Sequence, residues 1–174
     1  EAWEYEAAIT ENTAAIAYFY RPGSMPEIQE VINVGRKHSI PVLVDAAGQL
    51  PPVENLKKFI AMGADLVSYS GGKAIRGPQN SGILAGKKDL IASVVLQHLD
   101  LDDHFGIWDP PPSLISKEDL PGIPRHGIGR GFKVSKESIV GLLTALKSFS
   151  KDANIETSQK FHSFLSSIAT TLAN

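Results

Sequence analysis

The sequence predicts an α/β fold built on a mostly parallel sheet with helices on both faces. Three observations carry that expectation. Short apolar runs alternate along the chain with segments whose apolar residues recur at helical spacing, the pattern of strand, helix, strand. Each run is closed by Gly, Pro or an acid, as strands are. A chain of 174 residues with 43% hydrophobic and 21% charged residues has the composition of a folded domain with a sizeable core.

The elements follow in order. Thr13–Tyr20 (TAAIAYFY) is an apolar run rich in β-formers and stopped by Arg21-Pro22-Gly23, so it reads as a buried strand and a turn. Ser24 or Met25 lies near a helix cap and Pro26 suits the first turn, after which Ile28, Val31, Ile32 and Gly35 fall on one face. Pro41–Asp45 is a second buried strand, ending in an acid. Val53 to Met62 is a short helix stopped by Gly63, and Ala64–Ser70 is the third strand. Ser81–Gly86 is the fourth, followed by a helix from about Lys88 to Leu99. Asp100 to Pro124 changes character, with prolines at 110, 111, 112, 121 and 124 and few periodic apolar residues, and long irregular segments of this kind are functional loops or linkers. A helix from Lys136 to about Lys151 carries Ile139, Val140, Leu142, Leu143, Leu146 and Phe149. The segment from Asn154 to Asn174 reads as a further helix with Phe161, Phe164, Leu165 and Ile168.

Composition removes several function classes. A formal charge of −2 and a pI near 6.2 leave no basic stripe for a nucleic-acid partner, and none is expected. With no cysteine there is no disulfide, zinc thiolate site or cysteine nucleophile. The opening EAWEYEAAITEN has neither the charged start nor the apolar centre of a signal peptide, and no apolar run is long enough to span a bilayer. The expectation is a soluble, cytoplasmic protein without a membrane partner.

Chemistry concentrates in Ser68–Gly82 (SYSGGKAIRGPQNSG), where one lysine stands among glycines just after a strand. In a parallel sheet, functional groups collect at the carboxyl ends of strands, and Asp45 and the Ser70–Lys73 segment both occupy such ends. A nucleotide-binding loop ending at Gly72-Lys73 would need Gly at 67 and Ser or Thr at 74, where the chain has Val67 and Ala74. Gly127, Gly129 and Gly131 resemble a dinucleotide fingerprint but position 132 is Phe and no strand precedes them. An imine-forming lysine fits better. Pyridoxal phosphate supplies a carbonyl for Lys73, and a carboxylate facing its ring nitrogen, which Asp45 can provide, keeps the ring an electron sink. Ser68 and Ser70, on alternate positions of a strand end, offer hydroxyls to a phosphate, and Gly71 and Gly72 let the backbone approach it. Taken singly, Asp45 also reads as a loop hydrogen-bonder and Lys73 as a solvated charge. His98 and His104 with Asp100, Asp102 and Asp103 read either as a metal cluster or as an acidic solvated loop, and no metal is expected.

Val44–Pro52 (VDAAGQLPP), Leu66–Gln79 (LVSYSGGKAIRGPQ), Gly82–Ile91 (GILAGKKDLI) and Arg125–Leu143 (RHGIGRGFKVSKESIVGLL) together resemble the selenocysteine synthase family of fold type I pyridoxal-phosphate enzymes. The run from Ala74 to Gln79 is most similar to the D-glucosaminate-6-phosphate ammonia-lyase branch, in which Arg76 stands where selenocysteine synthases have glycine. The resemblance implies that Lys73 is the Schiff-base lysine, Asp45 the partner of the pyridinium, Ser70 a phosphate contact, and Gln49 a neighbour of the cofactor ring. From their own chemistry, Arg76, Arg125 and Arg130 are candidates to meet an anionic amino acid or amino sugar acid, Arg130 reading equally as a solvated surface charge, and His126 reads equally as a residue at the mouth of the site or as a cap of the next helix. The expected reaction is elimination of water and ammonia from a phosphorylated 2-amino sugar acid. The alternatives are selenium or sulfur transfer on seryl-tRNA and an inactive scaffold. Residues 1–99 are then expected to be the second half of the cofactor-binding large domain of a fold type I transferase, 100–135 an irregular segment at the site, and 136–174 the helical start of a C-terminal domain. The upstream half of the large domain is expected to lie outside the chain, and the enzyme to be a homodimer or higher homo-oligomer.

Overall fold

The computed structural model describes residues 1–152 and 155–173. The order of elements is α1 (Ala2–Ala7), β1 (Ile16–Phe19), α2 (Ile28–His38), β2 (Val42–Asp45), α3 (Asn55–Met62), β3 (Leu66–Ser70), β4 (Gly82–Gly86), α4 (Lys88–Gln97), α5 (Lys136–Asp152) and α6 (Ile155–Leu172). Single 3-10 turns interrupt the irregular region at Lys117–Asp119 and Arg130–Phe132.

The sheet has the order β1-β2-β3-β4. β1, β2 and β3 run parallel, each pair joined through a helix, and β4 runs antiparallel to β3. The reversal has a physical cause. A parallel return needs a crossover of about a dozen residues or more, normally helical, and residues 71–81 form a short loop without a helix. The sheet is thus parallel over three strands and turns back at the fourth.

Alternation along the strands divides the sheet into two faces. Ile16, Tyr18, Val42, Val44, Val67 and Tyr69 point to the buried one. Onto them pack Ile28, Val31 and Ile32 of α2, Phe59 of α3 and Leu142 of α5, so helices from both halves of the sequence enter one core. Val31, Val44, Phe59 and Val67 have no exposed surface, and each such side chain contributes roughly 1.5–3 kcal/mol by burial. The ring of Tyr20 meets Phe59 edge-on at 4.7 Å. On the opposite face lie Phe19, Asp45, Ser68 and Leu84, in register across all four strands. Phe19 is 63% exposed, and among the described residues no second buried cluster covers this side.

Helix α1 was not legible from periodicity. It is a six-residue segment whose first turn carries Glu4. Glu6 ties it to the end of α2, accepting from Lys37 at 2.5 Å and pairing with His38 Nε2 at 2.8 Å. Cations are favourable at a helix C-terminus, where the last carbonyls lack partners, and α2 ends in Arg36, Lys37 and His38.

The Asp100–Pro124 segment is irregular, as its composition predicts, yet its base is closed. Leu101 N–H donates to the Pro124 carbonyl at 3.1 Å, Gly127 N–H to Leu99 at 3.1 Å and Gly129 N–H to Gln97 at 2.8 Å. Inside the loop Ile115 is buried, and Lys117 lies over the ring of Phe105 while donating to the Trp108 carbonyl. α6 forms as expected, with Phe161, Phe164 and Leu165 exposed.

Candidate active site at the carboxyl ends of the strands

Asp45 is the last residue of β2 and pairs in register with Ser68 of β3. The sheet holds its main chain, since Tyr20 N–H donates to the Asp45 carbonyl at 3.0 Å and Ala46 N–H to the Ser68 carbonyl at 3.0 Å. One carboxylate oxygen accepts from Ala47 N–H at 2.9 Å, which orients the side chain over its own turn. The other oxygen has no hydrogen-bond partner among the described residues, and neither do the hydroxyls of Ser68 and Ser70. Three polar groups therefore face one open side of the sheet with capacity to spare.

Lys73, in the loop after β3, brings its amine to the turn that follows Asp45. A methyl group on Gly48, in the turn that follows Asp45, would sit 3.9 Å from Lys73 Nζ. Lys73 is exposed and makes no ion pair among the described residues, so its amine is available for chemistry.

The loop that carries Lys73 is fixed around it. Gly71 N–H donates to Ser81 at 2.9 Å, Gly77 N–H to Gly71 at 2.8 Å and Arg76 N–H to the Lys73 carbonyl at 2.9 Å. Gln79 Nε2 donates to the Gly72 carbonyl at 3.1 Å. Ile75 drops into the core at 2% exposure. Any side chain on Gly71 would meet Ser81 Oγ at 2.3 Å, and one on Gly72 would meet Gln79 at 2.6 Å. Both positions therefore need glycine for close approach, which is a constraint of packing. Arg76 adopts the left-handed conformation at φ 62°, at a cost of about 1–2 kcal/mol for a residue with a Cβ.

The other residues singled out from sequence separate into two groups. Gln49 Nε2 donates to the Tyr20 carbonyl at 3.2 Å, so this side chain braces β1 against the β2–α3 turn. Asn55 Nδ2 donates to the Gln49 carbonyl at 2.7 Å, and Tyr69 OH to Asn55 at 2.6 Å, extending the brace to β3. Arg125, His126 and Arg130 sit where the chain folds back on the end of α4, with His126 N–H donating to Asp100 at 2.9 Å. No hydrogen bond or ion pair among the described residues joins them to the Lys73 loop. His98 Nδ1 meets the Val94 carbonyl at 2.9 Å, and the described residues hold no cluster of three metal-ligating side chains. Sequence reasoning did not single out Gln79, Ser81 or Leu142, which shape the loop. The adjacent glycines were the available signal, because each marks a neighbour that leaves no room for a Cβ.

This donor set fits an aldehyde-bearing pyridine phosphate. It offers one primary amine for the aldehyde, a carboxylate for a ring nitrogen and two unpaired hydroxyls for phosphate oxygens, all at the carboxyl ends of adjacent parallel strands.

Known proteins share these features. The family model SelA, L-seryl-tRNA selenium transferase, matches residues 1–101. D-glucosaminate-6-phosphate ammonia lyase of Salmonella typhimurium is 32% identical over 151 residues, covering 84% of this chain and 32% of that protein. 5'-C-glycyluridine monooxygenase-decarboxylase of a Streptomyces species is 33% identical over 150 residues, covering 82% of this chain and 29% of that protein. A solved structure of D-glucosaminate-6-phosphate ammonia-lyase matches with a TM-score of 0.59 at 30% identity, covering 87% of this chain and 33% of that one. The chain spans about a third of the length of these relatives.

Proposed function

We propose that this protein is a lyase, and the premise is that the chain belongs to the SelA family, a family of pyridoxal-phosphate enzymes of α/β fold. The substrate is a phosphorylated 2-amino sugar acid of the glucosaminate type, which loses its 3-hydroxyl as water, takes water back on hydrolysis and leaves as a 2-keto-3-deoxy acid with ammonia released. The observation that carries the reading is the approach of Lys73 Nζ to the turn after Asp45, with no competing ion pair on the lysine.

When bound, pyridoxal phosphate supplies an electron sink for the charge that develops at the substrate α-carbon. Everything else falls to the chain. Lys73 would hold the cofactor through its amine, and as a free amine it would take the α-proton of the substrate as general base. Asp45 keeps a proton on the ring nitrogen by placing a negative charge beside it, and Ala47 N–H fixes the direction of that carboxylate. Ser68 and Ser70 donate to phosphate oxygens. Arg76, exposed at the tip of the Lys73 turn, binds the carboxylate or terminal phosphate of the substrate as a planar fork. Arg125, His126 and Arg130 belong to this proposal as further anion contacts. Residues 1–99 supply half of the cofactor-binding domain, 100–135 border the site, and 136–174 lead from this core, which α5 enters through Leu142, toward a second domain of a cytoplasmic homo-oligomer. No described helix is long and apolar enough to cross a membrane.

Selenium or sulfur transfer on seryl-tRNA uses related elimination chemistry, and charge separates the two. With 17 basic against 19 acidic residues the chain has no surplus for a polyphosphate partner, whereas one or two arginines suffice for a small anion. The test incubates the purified full chain separately with a phosphorylated 2-amino sugar acid and with seryl-tRNA. Ammonia release from the acid, with tRNA binding that is weak and lacks a steep salt dependence, supports the lyase. Tight tRNA binding without ammonia release rejects it, and the absence of both leaves the scaffold reading in its place.

A further inference from the structure

We propose that α5 positions the Lys73 loop, with Leu142 as the positioning residue; this rests on the reading of Lys73 as the cofactor-holding amine. The Gly71-Gly72 segment before Lys73 has no side chains to fix it, so its position is set from outside. Leu142, 8% exposed, is buried in the core, with Ala145, Leu146 and Phe149 of α5 packed against it. Its Cδ1 would lie 2.8 Å from a methyl group on Gly71 and 3.2 Å from one on Gly77. These two glycines are themselves joined, since Gly77 N–H donates to the Gly71 carbonyl at 2.8 Å. Leu142 thus caps the hydrogen bond that closes the turn around Lys73. Two further α5 residues reach the far side of the same loop. Ser138 Oγ bonds to Asn80 at 3.1 Å, and a methyl group on Gly141 would meet Pro78 at 3.1 Å. Positions 138, 141 and 142 lie on one helical face by their spacing, and together they touch both ends of the loop that presents the lysine. A displacement of α5 therefore displaces Lys73.

The experiment measures hydrogen exchange in the cofactor-free full chain and cofactor capture in the loaded one. In Leu142→Ala, peptides covering residues 70–79 should exchange about tenfold faster while those of β1 and β2 keep their protection. The pH midpoint of cofactor absorbance should shift and borohydride capture on Lys73 should slow several-fold, with Leu142→Met restoring both. Unchanged exchange over 70–79, or a loss spread equally over β1 and β2, overturns the proposal. Should Leu142→Ala fail to fold, Ser138→Ala replaces it, because that residue lies outside the core. Faster exchange at 78–80 alone then supports the proposal, and none overturns it. Absence of capture on Lys73 in the unsubstituted protein rejects the cofactor reading and leaves the exchange result standing as a separate outcome.

Discussion

The sheet carries an aspartate at each end, and the two are used in opposite ways. Asp65, at the amino end of β3, is buried and fully engaged: Oδ2 accepts from Val42 N–H at 2.7 Å and Oδ1 pairs with Lys87 at 2.6 Å. It ties the start of β2 to the residue after β4. Asp45, at the carboxyl end of β2, accepts one bond from its own turn and keeps an oxygen free. Lysines follow the same division. Lys87 is committed to Asp65, a hydrogen bond that raises its pKa above the ordinary lysine value, while Lys73 has no carboxylate partner among the described residues. Asp45, Ser68, Ser70 and Lys73 are at least partly open to solvent and have hydrogen-bonding capacity to spare, so they gather at one end of the sheet the groups that a ligand could engage.

That contrast can be broken by substitution. The largest effect is expected from Lys73→Ala, which should reduce ammonia release to background with the thermal midpoint unchanged, because the side chain enters no described packing or ion pair. Asp45→Asn should lower turnover by roughly two to four orders of magnitude, since a neutral amide cannot hold a proton on the ring nitrogen. Its melting temperature should stay near that of the parent, and near-normal turnover would remove Asp45 from the site. Asp65→Asn should do the reverse. It should destabilise by about 1.5–3 kcal/mol, as expected for hydrogen bonds to a charged group with little solvent access, leaving the specific activity of the folded fraction intact. A loss of activity without a loss of stability would erase the distinction between the two ends.

Smaller effects sharpen it. Arg76→Gly should raise the thermal midpoint, by relief of about 1 kcal/mol of left-handed strain, while raising KM for the phosphorylated acid about tenfold or more through loss of the guanidinium fork. A residue kept in strain for packing alone would show no KM effect. The weakest expectation concerns the exposed clamp on α1. The hydrogen bond from Lys37, and then that from His38, hold the Glu6 carboxyl below its ordinary value of 4.5. A depressed folded value means that the stabilisation is present above that ordinary value and is lost as pH falls below it. Acid melting curves of Glu6→Gln should therefore be flatter than those of the parent in this range, with no change in activity at neutral pH.

Local signals made most of the fold legible. Val42–Asp45 and Leu66–Ser70 announce themselves as apolar runs ending in polar groups, and α2 shows its buried face at Ile28, Val31 and Ile32 because helical spacing is written in neighbouring residues. The antiparallel direction of β4 follows from the brevity of the 71–81 loop, which is too short for a helical crossover. α1 escaped notice because a helix of six residues has too few turns to show a period. At the site, Asp45 and Lys73 were legible as residue types at strand ends. The capping of Gly71 by Leu142 was not, since that contact joins positions about seventy residues apart and leaves no trace in either neighbourhood. Gln49 shows a signal of another kind: the family resemblance implied a place near the cofactor ring, while the hydrogen bond from its Nε2 to the Tyr20 carbonyl, made between residues 29 positions apart, left no trace in the local sequence.

The central claim is that the unpaired end of the sheet holds the cofactor through Lys73. Borohydride reduction of the loaded full chain, followed by proteolysis and peptide mass measurement, tests it directly. The pyridoxyl mass should appear on the peptide containing Lys73 and vanish in Lys73→Ala. Label on the peptide containing Lys87 and Lys88, or its persistence in Lys73→Ala, would contradict the account.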